Sequence, residues 1–365
     1  MKLYMQRCLE LAAHGKGNVA PNPMVGAVIV SNDVIIGEGY HRCFGETHAE
    51  VNAIASVHDE TLLRNATLYT NLEPCSHYGK TSPCVELIIR KRIPRVVVGC
   101  LDPYPEVAGR GIMMLCNAGI HVTTGIMERE AVELNRFFMT AHKRHRPYIV
   151  LKWAQSDDGF IDRIRKDVSE KPVQFSTAVT RMMTHQIRSE MQAIMVGTNT
   201  AIMDNPSLTV RHWPGKSPVR ILIDRNLRIP CNFRLFDGQQ LTFVFTKHNA
   251  VARREQGFQE KENVKYIKID DDCFHLKDLT DVLYKNGVQS LLVEGGASLH
   301  RSFIEENLWD EVIIETAPVQ LEKGIKSAVI PVCENMQLVD RQHIVSDFAG
   351  NGNPTMIERF VNRAV

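Results

Sequence analysis

The chain of 365 residues contains no uninterrupted apolar run of about 18 residues, so nothing in it predicts a membrane-spanning helix. Net charge is also nearly absent: 43 lysines and arginines stand against 42 aspartates and glutamates, a formal +1. That balance gives no support to nucleic acid or an acidic membrane surface as a partner. Aromatic residues make up 7% and form no cluster with basic ones, which removes the usual platform for single-stranded nucleic acid. There is no internal repeat, no low-complexity tract and no G-x-G-x-x-G fingerprint. Residues 1–7 are charged and lack the apolar core of a secretory leader, so none is expected. Nine cysteines, an odd number, are scattered at 8, 43, 75, 84, 100, 116, 231, 273 and 333. This is no disulfide framework and fits a reducing, cytoplasmic setting, with most cysteines expected as small buried residues. The length predicts two domains of ordinary globular composition.

Along the chain, residues 4–14 have helical apolar spacing that ends at Gly15 and Gly17. Residues 25–30 and 34–40 are apolar runs joined by Ser31-Asn32-Asp33, a predicted hairpin. Thr47 is placed to cap a helix bearing Val51, Ala53, Ile54 and Ala55, with His48 and Glu50 at its start. A strand at 67–70 delivers Asn71-Leu72-Glu73-Pro74-Cys75, and Cys84 opens a helix over 85–90. Elements at 96–99, 109–116, 122–124 and a single helix over 128–140 complete an α/β three-layer domain covering residues 1–145. The basic run 142–147 reads as a solvated connector. Residues 146–365 then offer strands starting at Tyr148 and at 191–196, 219–223, 241–245, 264–269, 291–293 and 311–315. Helical stretches between several of them predict a second α/β domain with a mainly parallel sheet, and 255–263 an exposed loop.

Chemistry concentrates between His48 and Cys84. His48-Ala49-Glu50 is followed by Pro74-Cys75 and Pro83-Cys84. One imidazole and two thiolates are a soft donor set suited to Zn²⁺, with a fourth tetrahedral position left for water. H-x-E followed by P-C and a second Cys is the order found in zinc deaminases, where the metal activates water and the acid moves protons. His48, Cys75 and Cys84 are therefore candidate ligands, and Glu50 a candidate proton shuttle needing a poised pKa. Either half of the pattern alone arises by chance; a structural zinc completed by His77 remains an alternative.

Eight residues separate Cys75 from Cys84, unlike the P-C-x-x-C of cytidine and nucleic-acid deaminases. With Pro21-Asn22-Pro23-Met24-Val25-Gly26-Ala27 and Gly37-Glu38-Gly39-Tyr40-His41, the chain resembles the bifunctional deaminase/reductase family of riboflavin biosynthesis. The resemblance continues in Leu151-Lys152-Trp153-Ala154-Gln155-Ser156, in Asp204-Asn205-Pro206-Ser207-Leu208-Thr209-Val210-Arg211 and in Val293-Glu294-Gly295-Gly296-Ala297. It implies a cytidine-deaminase-like three-layer domain followed by a dihydrofolate-reductase-like α/β domain. It implies hydrolysis of the 2-amino group of 2,5-diamino-6-(5-phosphoribosylamino)pyrimidin-4-one, then NADPH reduction of the product's ribosyl group to ribityl. By the resemblance, His48, Cys75 and Cys84 hold zinc, and Asn22, His41, Asn71, His77 and Lys80 hold the pyrimidine and its phosphate. Ala154, Thr200, Asp204, Gly296, Ala297, Ser298 and Leu299 would contact NADPH, with Arg225 a candidate for its 2′-phosphate. Lys152, Arg188, Leu208, Arg211 and Glu294 would face the substrate, the two guanidinium forks pairing with its phosphate. The partners implied are pyrimidine ribosyl phosphates and other copies of the chain, as a dimer or tetramer, with neither nucleic acid nor membrane.

Read on its own, Glu294-Gly295-Gly296 ends a strand with backbone bare enough to approach a phosphate. Two departures stand out: Ser156-Asp157-Asp158-Gly159 where the family has Ser-Leu-Asp-Gly, and a longer, more charged segment at 163–173. Contacts expected from that segment are left unassigned. Two competing functions remain at this point: a nucleoside or nucleic-acid deaminase, and a deaminase whose second half only binds or oligomerises. Lys152, Asp204 and the Glu294-Gly295-Gly296 turn speak against the latter.

Overall fold

A computed structural model of the chain describes residues 1–78, 82–104, 108–247, 261–269, 275–331, 335–345 and 354–363. The apolar run after Pro23 becomes β1 (Gly26–Ser31), buried along its whole length. It meets β2 (Val34–Tyr40) through Asn32 and Asp33, at φ 49° and 61°, the pair of positive angles a two-residue type I′ turn needs. β3 (Thr67–Leu72), β4 (Arg95–Cys100) and β5 (His121–Thr123) extend the sheet in the order β2-β1-β3-β4-β5, parallel from β3 onward. Alternation sends Ala27 and Ile29 into a core with α2 (Ala49–Ala55), α3 (Cys84–Arg90) and α4 (Arg110–Asn117). Val28 and Val30 point the other way, onto α1 (Lys2–Ala13). Each such buried Val or Ile contributes roughly 1.5–3 kcal/mol, so the sheet is held from both faces. Gly39 lets α2 lie directly on β2: a Cβ there would stand 2.3 Å from Ala53 N and 2.7 Å from Ala49 O.

Several local expectations are corrected. His48, not Thr47, occupies the cap position of α2; the Thr47 hydroxyl donates to Asn52 Oδ1 at 2.6 Å instead. The single helix expected over 128–140 is two, α5 (Glu128–Leu134) and α6 (Arg136–Arg144). They break at Asn135, whose side chain accepts from Met24 N at 2.7 Å and donates to Met24 O at 2.9 Å. The basic run is solvated, with Lys143, Arg144 and His145 exposed, but it is not all connector: His142 to Arg144 form the last turn of α6 and Arg146 is buried. Among the described cysteines all are free, but Cys116 and Cys231 are exposed rather than buried. Cys273, Cys333 and most of the expected loop at 255–263 lie outside the described residues.

By residue contacts the chain divides into two compact units, Met1–Arg146 and Pro147–Val365. The second holds β6 (Tyr148–Ser156), the short β7 (Phe160–Asp162), α7 (Ala178–Glu190), β8 (Ala193–Gly197), α8 (Thr198–Asp204) and β9 (Val219–Ile223). β10 (Thr242–Lys247), β11 (Val264–Ile269), α9 (Leu276–Lys285), β12 (Ser290–Gly295), α10 (Ala297–Glu305) and β13 (Glu311–Ala317) follow. The sheet order is β11-β10-β9-β8-β12-β6-β13, all parallel. After a two-residue strand β14 (Ile325–Lys326), paired with β7, a hairpin of β15 (Met336–Ile344) and β16 (Thr355–Asn362) closes one edge of the main sheet antiparallel to β13. Among the described residues no helix is long and apolar enough to cross a membrane.

Candidate functional site

His48 precedes α2 with extended backbone, and Cys84 is the first residue of α3. Both stand at helix starts, where unpaired N–H groups favour negative charge. Cys75 follows the end of β3. His48 Nδ1 lies 3.4 Å from each sulfur, and the three donor atoms fall within 4.8 Å of one another. A tetrahedral ion bonded at about 2.0 Å to nitrogen and 2.3 Å to sulfur needs N···S edges of about 3.5 Å, so this set fits Zn²⁺. Cys84 N donates to Cys75 Sγ at 3.3 Å. Cys84 first, then His48, holds the Cys75 thiol down to about 4, while Cys84, sharing its proton with Cys75, is pushed up. Among the described residues no fourth His, Cys, Asp or Glu joins the group, and His77 is exposed outside it.

Glu50, in the first turn of α2, is 3% exposed and accepts from Cys84 Sγ at 3.4 Å. Burial, and then the nearby Cys75 thiolate, pushes its carboxyl up to about 7, a group that exchanges protons near neutrality. His41 is buried, its ring edge-on to that of His48 at 5.5 Å. A carbonyl can only accept, so His41 Nδ1–H donates to Thr47 O at 3.1 Å, and Nε2 accepts from the Asn22 amide at 3.1 Å. Burial lowers the pKa of His41 and keeps it neutral. Asn71, expected against the pyrimidine, is fully buried. Its amide accepts from Gly26 N at 2.8 Å and donates to Met24 O at 3.0 Å, leaving one hydrogen for any other contact. Lys80 lies outside the described residues.

In the second unit, Lys152 is 8% exposed on β6, its Nζ 3.3 Å from Glu315 Oε2 on β13. Glu315 also accepts from Thr180 Oγ1 at 2.6 Å and Ser176 Oγ at 2.9 Å. Glu294 sits where the β12–β8 register shifts, a bulge that re-aims its side chain. It takes Arg188 in a fork, Nε to Oε1 at 2.7 Å and Nη2 to Oε2 at 2.5 Å, while Nη1 donates to Thr209 O at 3.1 Å. Arg188 is thus bound to protein through three of its five N–H groups before any phosphate arrives. Arg211 differs: its guanidinium donates to Thr209 Oγ1 at 2.5 Å and has no acid partner among the described residues. Burial and repulsion from Arg188 and Arg234 lower its pKa. Leu208, at φ 53°, is buried in a conformation uncommon for leucine.

Gly295 and Gly296 form a cradle. A Cβ on Gly295 would meet Val196 Cγ1 at 2.7 Å, and one on Gly296, at φ 83°, Thr200 Oγ1 at 3.1 Å. Bare backbone therefore faces Thr200, with Asp204 one turn further along α8 and Ala297, Ser298 and Leu299 opening α10. Such a strand–glycine–helix junction fits a pyrophosphate. Ala154 is half-buried on β6, opposite Glu315 in the register. Arg225 follows β9, its carbonyl accepting from Lys247 N at 3.0 Å.

Residues 1–100 match the family model of the cytidine and deoxycytidylate deaminase zinc-binding region, and residues 147–330 that of the RibD C-terminal domain. The riboflavin biosynthesis protein RibD of Bacillus amyloliquefaciens is 41% identical over 329 residues, 90% of this chain and 87% of that one. The RibD of Aquifex aeolicus is 40% identical, covering 89% and 88%. The crystal structure of a deaminase/reductase from Thermotoga maritima superposes with a TM-score of 0.84 at 33% identity, over 99% of this chain and 98% of that one. The chain belongs to the RibD family.

Family membership also accounts for the two folds, a cytidine-deaminase-like unit and a dihydrofolate-reductase-like one, in a single chain. Sequence reasoning misses several residues that build this RibD site. Glu73, two before Cys75, is buried and accepts from the backbone of Gly109 and Gly111. Asn135 fixes Met24 from 111 residues away. Glu315 receives Lys152. An acid adjoining a ligand motif is the only signal that could have raised Glu73; the other two have none.

Proposed function

We propose that the first unit hydrolyses the 2-amino group of 2,5-diamino-6-(5-phosphoribosylamino)pyrimidin-4-one. In the same reading the second unit reduces the ribosyl group of 5-amino-6-(5-phosphoribosylamino)uracil to ribityl with NADPH. The observation that carries it is the convergence of His48, Cys75 and Cys84 beside a buried, proton-exchanging Glu50, in a chain that also contains a RibD C-terminal domain. When bound by His48, Cys75 and Cys84, Zn²⁺ lowers the pKa of water and supplies a nucleophile at neutral pH. Glu50 takes a proton from the hydrolytic water and returns it to the departing amine, for which a pKa of about 7 is well placed. Asn22 and neutral His41, locked to each other, orient the ring; the exposed His77 is assigned to the substrate with them, as is Lys80 by the family resemblance alone. In the second unit the hydride comes from NADPH. Thr200, Asp204 and the Gly296 turn hold the cofactor, while Lys152, held by Glu315, faces the ribosyl chain. Arg211 meets the phosphate. We also assign the enzyme to the cytoplasm, in keeping with its free cysteines, and to a homo-oligomeric state.

The test is a coupled assay on zinc-loaded protein, following ammonia and NADPH oxidation separately. Ammonia release followed by NADPH consumption is expected, with Glu50→Ala stopping both and Lys152→Ala only the second. Ammonia without NADPH oxidation would reduce the second unit to a binding module, and no ammonia would sink the substrate assignment.

A further inference from the structure

The longer, charged segment after β7 is built into the second unit. Asp162 Oδ1 accepts from Arg163 N at 2.9 Å and from Val173 N at 3.0 Å, closing the segment on itself. Within it Arg165, its side chain only 9% exposed, is surrounded by acceptors. Nε lies 2.8 Å from Asp162 Oδ2, and Nη1 donates to Met203 O at 3.2 Å and Glu170 O at 3.3 Å. Nη2 donates to Asp204 Oδ1. Met203 and Asp204 are the last turn of α8, whose carbonyl end attracts a cation.

The same helix carries Thr200 against the bare backbone of Gly296. An uncompensated Asp204 carboxylate one turn away would repel a cofactor bearing a pyrophosphate and a 2′-phosphate. Arg165, shared with Asp162, offsets part of that charge through Oδ1 and fixes the plane of the carboxylate, while Oδ2 has no partner among the described residues. We propose that Arg165 is a positioning residue for NADPH, partly offsetting the charge of Asp204 and aiming it so that its second oxygen accepts from a hydroxyl or amide of the cofactor. This rests on the reading that the second unit binds NADPH at the Gly296 turn.

The experiment measures NADPH dissociation by fluorescence titration of the full zinc-loaded chain, beside kcat and KM for the reduction and ammonia release as a check on folding. Arg165→Ala is expected to weaken NADPH binding and raise its KM about tenfold, with kcat within about twofold and ammonia release unchanged. Arg165→Lys restores charge without the fork and recovers part of the loss. Adding Asp204→Asn to Arg165→Ala recovers more, because it removes the stranded charge while its amide oxygen still accepts. NADPH bound as tightly by Arg165→Ala as by wild type overturns the inference alone. So does a loss that neither second variant recovers, which would assign Arg165 to folding. Wild-type protein that binds no NADPH overturns the inference together with the reading beneath it.

Discussion

Glu73 is the sharpest place to test how the deaminase unit is held. Its carboxylate is 4% exposed and accepts from Gly109 N and Gly111 N at 2.9 Å each, with longer contacts to Asp102 N at 3.3 Å and Ile112 N at 3.4 Å. Three of these donors belong to the start of α4, whose cap residue Gly109 offers no side-chain oxygen. A carboxylate at the end of β3 therefore caps a helix that follows it by some 38 residues. Glu73→Gln keeps the volume but turns one oxygen into an N–H₂ group facing other donors. Hydrogen bonds to a charged partner contribute about 1.5–3 kcal/mol each. With one of the two short bonds broken outright and the other losing its charge, we expect a loss of about 3 kcal/mol. For a unit of this size each kcal/mol shifts Tm by roughly 2–4 °C, so its transition should fall by roughly 6–12 °C. Calorimetry of the zinc-loaded full chain reads this. Zinc content and ammonia release should fall too, because Cys75 hangs from the same strand end, while NADPH oxidation with deaminated substrate is unaffected. A first transition within about 1 °C of wild type, with zinc retained, would refute the capping argument.

Two further outcomes follow from the geometry. Chelation leaves His48 and two sulfurs within 4.8 Å with no ion between them. Free Zn²⁺ at 100 times its Kd stabilises by about 2.7 kcal/mol, so metal removal should lower the first transition by roughly 5–11 °C and zinc should restore it; a transition indifferent to both would exclude metal from the fold. His300, buried under the Gly296 turn with Nε2 donating to Val293 O at 3.0 Å, is pushed by burial from 6.5 down to about 4. Its folded pKa lies below its unfolded one, so the unfolded chain takes the proton first. The stability it contributes is complete above pH 6.5 and lost as the pH falls from there toward 4, up to about 3 kcal/mol. Urea melts at pH 7 and pH 4.5 should show this loss reduced by about 2 kcal/mol in His300→Gln, and equal losses in both proteins would exclude His300 as the cause.

What the sequence discloses depends on how local the cause is. The turn at Asn32 and Asp33 is legible because these side chains tolerate positive φ and apolar strands flank them. The strand at 291–293 is legible because a parallel strand buried on both faces is a continuous apolar run, here Leu291-Leu292-Val293. The hairpin of β15 and β16 is not: β15 is an outer strand, exposed over most of its length and carrying Asp340 and Arg341, so it has no apolar alternation. The break between α5 and α6 is equally hidden, since its reason is Met24, far up the chain.

The same rule separates the two sites. A zinc set is confined to few residue types, and two of its three donors stand at helix starts that local sequence encodes, so the motif is readable. The second site is built of ion pairs between residues 39, 106 and 163 apart: Arg165 with Asp204, Arg188 with Glu294, Lys152 with Glu315. A resemblance names such residues without naming what already holds them. This matters for the phosphate, because a guanidinium forked onto a carboxylate presents little net charge to a dianion. Arg188 is in that state and Arg211, whose guanidinium meets Thr209 and no acid among the described residues, is not. The role proposed for the two arginines therefore divides unequally: Arg211 carries the attraction, and Arg188 fixes the direction in which Glu294 points.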